Sequence, residues 1–340
     1  MKAHTKKGFW VGLLLFMICY IIPPPAGLSQ EGWIVASVTM LMAAWWATEA
    51  VPVAITALLP LTLFPLLGIA DIKTAGLPYA NPNIYLFMGG FILALGIEAS
   101  GLHKRLALKM LVLVGSSGAK LVGGFMLASA LISMWVMNTA TTLMLLPIGL
   151  AVCASVSQTI PNMSSRNRKS FEVSLLLGIA YAATIGGMST LVGTAPNIIF
   201  AGFMLETYGI EISFIDWMRL AVPMSLIMLI ASWYAITSFV YPVNFKSTQE
   251  TSIKLKSMLD ELGALSQDEK KVLIIFCFAA LAWMFRKLIN LIPGFELLTD
   301  AGVALLIALL FFVIPSSVHK NNLLTWEQAN KLPWGLLILF

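Results

Sequence analysis

The chain has 340 residues, of which 59% are hydrophobic and only 11% charged, against roughly 25% charged in an ordinary soluble domain. A soluble fold of this length cannot cover so much apolar surface with so few charges, which leaves an integral α-helical membrane protein. The net charge of +5 does not indicate a nucleic-acid partner, because the 21 Lys and Arg sit in short clusters between apolar runs, the pattern that sets membrane orientation.

Crossing a bilayer takes about 20 apolar residues, and such runs recur from end to end. Helices are predicted near 9–27, 32–50, 52–70 and 83–100, then an amphipathic stretch with Lys104, Arg105 and Lys109. Lys2, Lys6 and Lys7 ahead of the first run resemble a secretory signal. Pro23-Pro24-Pro25 follows instead of a cleavage site, so the run reads as a first membrane helix. An apolar block at 121–160 comes next, then another at 171–208. Helices near 217–242, 271–292 and 299–318 follow, and Leu332 begins one more. Between them, 243–270 carries Lys246, Glu250, Lys254, Lys256, Asp260 and Glu261 and reads as a charged cytoplasmic linker with some helix. Cys19, Cys153 and Cys277 lie in apolar runs, and His4, His103 and His319 are far apart. Neither set has metal-ligand spacing, and no cofactor is expected.

The basic residues favour one topology. Put the N-terminus in the cytoplasm and let 121–160 enter and leave on the same side as a re-entrant hairpin. All but four of the 21 Lys and Arg (Lys73, Arg219, Arg286 and Lys287) then face the cytoplasm. A single crossing would strand the Arg166 cluster outside, against the positive-inside rule. Backbone that turns at mid-membrane is tolerated only when buried in protein or lining a cavity.

Tyr85-Leu-Phe-Met-Gly-Gly has a faint echo in Trp334-Gly-Leu-Leu-Ile-Leu-Phe, as in transporters built from inverted repeats. On this reading the second repeat is cut off as its third helix begins. The chain is then a truncated frame or a fragment.

Two uncharged segments carry the chemistry. From Leu121 to Ser165 no residue is charged, yet Ser133, Asn138, Thr139, Thr141 and Thr142 cluster in the middle and must find partners. Interhelical hydrogen bonding would explain such a cluster by itself. From Val173 to Leu205 no charge occurs either, but Gly186-Gly-Met-Ser-Thr-Leu-Val-Gly193-Thr194-Ala195-Pro196-Asn197 interrupts the run. One proline would give only a kink. A dozen residues of helix-breaking composition point to unwound backbone. Broken helices offer amide N–H groups at half-helix N-termini, which attract a carboxylate. Their unwound carbonyls, with Asn and Ser oxygens, suit sodium. A helix end contributes about 0.3–1 kcal/mol, up to about 2, too little to desolvate a dianion alone. A co-bound cation would supply the missing charge and make coupling obligatory.

These segments, with Trp45-Trp-Ala-Thr-Glu49-Ala-Val-Pro52, Thr56-Ala-Leu-Leu-Pro60 and Glu98-Ala-Ser-Gly-Leu-His-Lys-Arg105, resemble the divalent anion:sodium symporter family over the whole chain. The family comprises bacterial dicarboxylate transporters related to citrate, succinate and sulfate carriers. The resemblance implies an all-α, inverted-repeat transporter that works as an elevator-type homodimer in the bacterial inner membrane. Residues 1–118 and 271–340 would form the scaffold, and 119–242 the moving transport domain, with 243–270 as linker. The family's hairpin-tip Ser-Asn-Thr falls on Met137-Asn138-Thr139. It implies a sodium site of Ser133, Asn138 and the carbonyls of Met137 and Gly193. It also implies a substrate site of Asn138, Thr139, Thr194, Ala195 and Pro196. Met137 departs from the family's serine, which matters only if the hydroxyl, not the carbonyl, is used. The family's second Asn-Thr hairpin and its partner broken helix are also missing from this sequence, which implies that half of the site is absent and the chain inactive alone.

The expected activity is sodium-coupled symport of a small carboxylate anion, a C4-dicarboxylate or citrate. Within the superfamily the rivals are a dicarboxylate exchanger and a carrier of sulfate or another inorganic anion. A membrane enzyme is the rival from another class, but no nucleophile with a base, charged pair or His/Asp cluster lies within a span. Glu49 and Glu98 read as interfacial carboxylates rather than a proton relay. Gly115-Ser-Ser-Gly-Ala-Lys120 lacks the phosphate-loop spacing.

Overall fold

Serine and proline decide where most helices begin. The computed structural model describes residues 3–114, 117–160, 163–243, 245, 249–318 and 321–339. Lys2, Gly115, Ser116, Lys246, His319, Lys320 and Phe340 of the sequence reading lie outside them. Among the described residues, extended pairing amounts to one antiparallel bridge, Pro315 to Asn322. Packing divides the chain into two units, Met1–Ile84 with Pro333–Phe340, and Tyr85–Leu332.

In the first unit, α1 (Ala3–Ile21) stops short of the three prolines and packs on α2 (Gln30–Thr48). The Ser29 hydroxyl caps α2 by accepting from Gly32 N at 3.1 Å. Trp45 lies flat on Phe9, ring centroids 5.0 Å apart, and donates its indole N–H to Phe9 O. The single helix expected over 52–70 is two pieces, α3 (Val53–Ala57) and α4 (Leu59–Leu66). Pro60 is the reason: it sits in the first turn of α4, where its missing N–H is no loss. A short α5 (Ile72–Gly76) and a 3₁₀ turn, Leu77–Ala80, follow.

The second unit opens within α6 (Pro82–Ala99), and α7 (Leu102–Val114) follows after a turn at Gly101 with φ of 77°. Next come α8 (Gly118–Ser133) and α9 (Asn138–Thr159), a helical hairpin, then α10 (Ser165–Gly187) and α11 (Ala195–Tyr208). A Ser213–Asp216 capping box starts α12 (Phe214–Tyr234), which ends in a π-helical turn, Ala235–Val240. The linker contains α13 (Gln249–Asp260), and a Ser266–Glu269 capping box starts α14 (Gln267–Ile289). α15 (Asp300–Val313) and the short α16 (Trp326–Ala329) complete this unit, while α17 (Trp334–Leu339) belongs to the first.

Among the described residues, five helices are long and apolar enough to cross a membrane: Pro82–Ala99, Asn138–Gln158, Ser165–Gly187, Phe214–Val240 and Gln267–Ile289. The fold class read from composition is therefore what is seen, an all-helical polytopic membrane protein. α1 and α2, at 19 residues each, are not among the five.

The core of the second unit lies where α8 meets α10 and α9, around Leu121, Val122, Phe125, Leu175 and Ile179, none more than 1% exposed. Lipid is as apolar as these side chains, so close packing, not water exclusion, must hold the helices together. Gly186 makes that packing possible. A Cβ there would lie 2.1 Å from Ala130 O, so the two backbones touch. Ser129 Oγ bridges the same pair by donating to Ile179 O at 2.8 Å.

Two buried arginines tie down the ends. Arg105 on α7 pairs with Glu269 at 2.7 Å and donates to the carbonyls of Leu262, Gly263 and Ala264. It thereby fastens α7 to the turn between α13 and α14. Arg286 on α14 meets Asp300 at 2.7 Å and Glu211 at 2.6 Å, while Lys287 meets Asp216 at 2.6 Å. Between them, Trp135 from the α8–α9 turn stacks against Phe214 and Trp283 and sets its edge to Phe276, with centroids 4.9–6.2 Å away.

Candidate functional site

The hairpin turns where the sequence places its polar cluster. α8 ends at Ser133, and Val136 N still donates back to Ile132 O at 3.0 Å. Met137 then swings to φ −50°, ψ 141°, and α9 starts at Asn138. A methionine cannot cap, so the first amides of α9 have no side-chain acceptor. Ser133 Oγ donates to Asn138 Oδ1 at 2.8 Å, and Met137 O accepts from Thr141 N at 2.9 Å.

The second break is narrower than its composition implied. α10 runs through both glycines to Gly187, and α11 already begins at Ala195. Only Met188–Thr194 is non-helical, because Pro196 fits the first turn of α11 and starts a helix instead of breaking one. Thr194 is extended and makes no cap bond, so α11 too begins uncapped. Asn197 holds the break closed, its Nδ2 donating to Gly187 O at 3.0 Å and Thr190 O at 2.7 Å. Gly193 N donates to Thr190 Oγ1 at 3.1 Å, and the Thr190 hydroxyl donates to Met134 O in the hairpin turn. Trp217 of α12 donates its indole N–H to Met188 O at 2.9 Å.

Gly187 is where the two breaks meet. A Cβ on it would fall 2.2 Å from Asn138 Oδ1, and one on Gly193 would fall 2.4 Å from Gly187 O. Asn138, Gly187 and Gly193 therefore form one cluster, with Ser133 attached through Asn138. Ser133 and Gly193 are buried, Met137 and Asn138 half-buried. Thr139 and Pro196 are exposed, with Thr194 and Ala195 between these extremes. No hydrogen bond among the described residues joins Thr139 to Thr194–Pro196.

Gly187, Thr190 and Asn197 lie inside the motif read from sequence but were given no site role there, and Trp217 was not singled out. Thr190 and Asn197 could have been given one: each is a polar side chain in an uncharged span, which needs a partner somewhere. Taken together, the cluster offers two uncapped helix N-termini, whose amides and partial positive charge favour an anion. Beside them are neutral oxygens that suit a hard cation. No carboxylate, imidazole or amine side chain stands among these residues.

Residues 5–340 match the family described as the sodium:sulfate symporter transmembrane region. The chain belongs to this family. A sodium-dependent dicarboxylate transporter, SdcS, of Staphylococcus aureus (strain bovine RF122 / ET3-1) is 39% identical over 345 residues. Its counterpart from strain USA300 is 38% identical. Both alignments cover 100% of the chain and 66% of the relative, so the chain spans just under two thirds of their length. Membership in a symporter family sets the enzyme reading aside and agrees with a multi-pass membrane protein.

Proposed function

We propose that the protein is a sodium-coupled symporter of small di- or tricarboxylate anions, C4-dicarboxylates or citrate. The observation that carries this is the meeting at Gly187 of two broken helices, both uncapped at their N-termini, in backbone free of charged residues. The substrate class is supported by relatives 38–39% identical that are named sodium-dependent dicarboxylate transporters.

In this reading sodium is held by Ser133 Oγ, Asn138 Oδ1 and the carbonyls of Met137 and Gly193. The 2.8 Å between Ser133 Oγ and Asn138 Oδ1 supports a shared cation, which the hydroxyl admits by rotating its proton away. Met137 O keeps a lone pair beyond its bond from Thr141 N, so methionine serves where only a carbonyl is needed. The substrate carboxylate faces Asn138, Thr139, Thr194, Ala195 and Pro196, with the first amides of α9 and α11 behind it. Because this lining lacks a cationic side chain, the anion binds with sodium or not at all. Residues 119–242 move as the transport domain of an elevator against a scaffold of 1–118 and 271–340. The working unit is a homodimer with the N-terminus in the cytoplasm.

Uptake of radiolabelled succinate and citrate into proteoliposomes carrying the full-length protein tests this. A requirement for inward sodium, lost in Asn138→Ala and Thr139→Ala while membrane insertion persists, is the expected result. Uptake that needs internal dicarboxylate instead of sodium would make the protein an exchanger. The family description favours one further reading, sulfate. Sulfate uptake without succinate or citrate uptake would replace the carboxylate assignment.

A further inference from the structure

We propose that an anionic phospholipid binds in the groove between α8 and α12, its phosphate on Lys120 and one acyl chain running towards Leu226. The groove has a volume of about 350 Å³ and is lined by Gly123, Met126, Leu226, Ile230 and Trp233, with Lys120 as its one charged residue. It opens along α12, which is only 22% buried over its spanning window and so presents most of its surface to the bilayer.

The chemistry changes along the groove in the order a phospholipid requires. Trp233 donates its indole N–H to Ala119 O at 2.9 Å, which sets the Trp233 ring level with Lys120. Trp233 lies seven residues before Val240, the end of its span, and with Lys120 marks the depth at which tryptophan and lysine settle at the headgroup boundary. Leu226 lies a further seven residues into the span, about 10 Å deeper at 1.5 Å per residue. Between these levels the wall carries only apolar side chains. Gly123 provides the floor: its missing side chain leaves the room, and a Cβ there would press on Trp233 Nε1 at 3.0 Å. The Lys120 ammonium makes no ion pair among the described residues, and it sits in the first turn of α8, whose positive end adds to its attraction for a phosphate.

Native mass spectrometry of the purified chain, equilibrated with phosphatidylglycerol and phosphatidylcholine of equal chain length, tests the site without reference to transport. The expected spectrum shows one retained lipid with phosphatidylglycerol preferred. Lys120→Gln is expected to reduce that preference about five-fold, and Lys120→Arg to keep it. Leu226→Trp, which fills the apolar part, is expected to remove the retained lipid of either head group. Equal retention of both lipids by the unaltered chain, or a preference indifferent to Lys120→Gln, would overturn the proposal. Retention undiminished by Leu226→Trp would overturn it as well.

Discussion

The Arg105 guanidinium meets the Glu269 carboxylate at 2.7 Å, with side chains 7% and 6% exposed. These residues are 164 apart in sequence, and their pairing holds α7 to the start of α14. Removing one partner of a buried pair leaves an uncompensated charge and costs about 3–5 kcal/mol. Arg105→Ala is expected to lower thermal stability in detergent accordingly. Arg105→Lys is expected to recover little, since one ammonium cannot replace bonds to Glu269 and three carbonyls. Full recovery by lysine would show that charge alone matters.

Gly187→Ala puts a methyl 2.2 Å from Asn138 Oδ1. One of the two must move, at about 1–3 kcal/mol for an overpacked site. The expected result is a folded protein in which sodium no longer protects against thermal unfolding. Unchanged sodium protection would separate Asn138 from the cation site.

Asn197→Ala strips Gly187 O and Thr190 O of their shared donor. A buried unsatisfied carbonyl costs about 1–3 kcal/mol. Hydrogen exchange is expected to quicken across 188–194, with little change in α14. Protection equal to that of the unaltered chain would mean that Trp217 and Thr190 suffice to hold the break.

His103 is buried in α7 with Nδ1 against Ile97 O. Burial pushes its pKa below the ordinary 6.5, partly offset by the bond to Ile97. As pH falls below 6.5 the unfolded chain gains a proton that the folded chain resists, so stability is full above that value and declines beneath it. Thermal melts from pH 7.5 to 5.5 are expected to show that decline, and His103→Gln is expected to flatten it.

Glu49 ends α2 at φ 48°, ψ 35°, and is the one described non-glycine residue with positive φ. Its exposed side chain does not require the left-handed conformation, which glycine adopts freely. Glu49→Gly is expected to raise stability by ~1 kcal/mol, read as a higher melting temperature.

How much of this was legible in advance depends on the distance over which the cause acts. The membrane class follows from charge content alone. The chemistry that sets helix starts was present but not read: Ser213 and Ser266 cap helices expected a few residues later, and Pro196, taken for a breaker, opens a first turn. The same chemistry at Pro60 was passed over because the surrounding run is apolar, and one helix was expected where there are two. Asn138 and Gly193 stood out because polar or flexible residues are conspicuous in an uncharged span. That Gly187 lies against Asn138, or that Thr190 bonds to Met134, depends on the register between α10 and the hairpin, and neither strand of sequence carries that register. Arg105 was similarly read as one of a basic cluster, because its partner lies on a distant helix.

The aromatic stack at the hairpin turn gives the molecule a built-in optical probe. The Trp135 indole is held among Phe214, Phe276 and Trp283, so any slide of the turn past α14 must pull these rings apart. Such a slide would alter the coupling between the two indoles, and with it their emission. The chain thus carries, at the tip of its hairpin, a chromophore that needs no added dye.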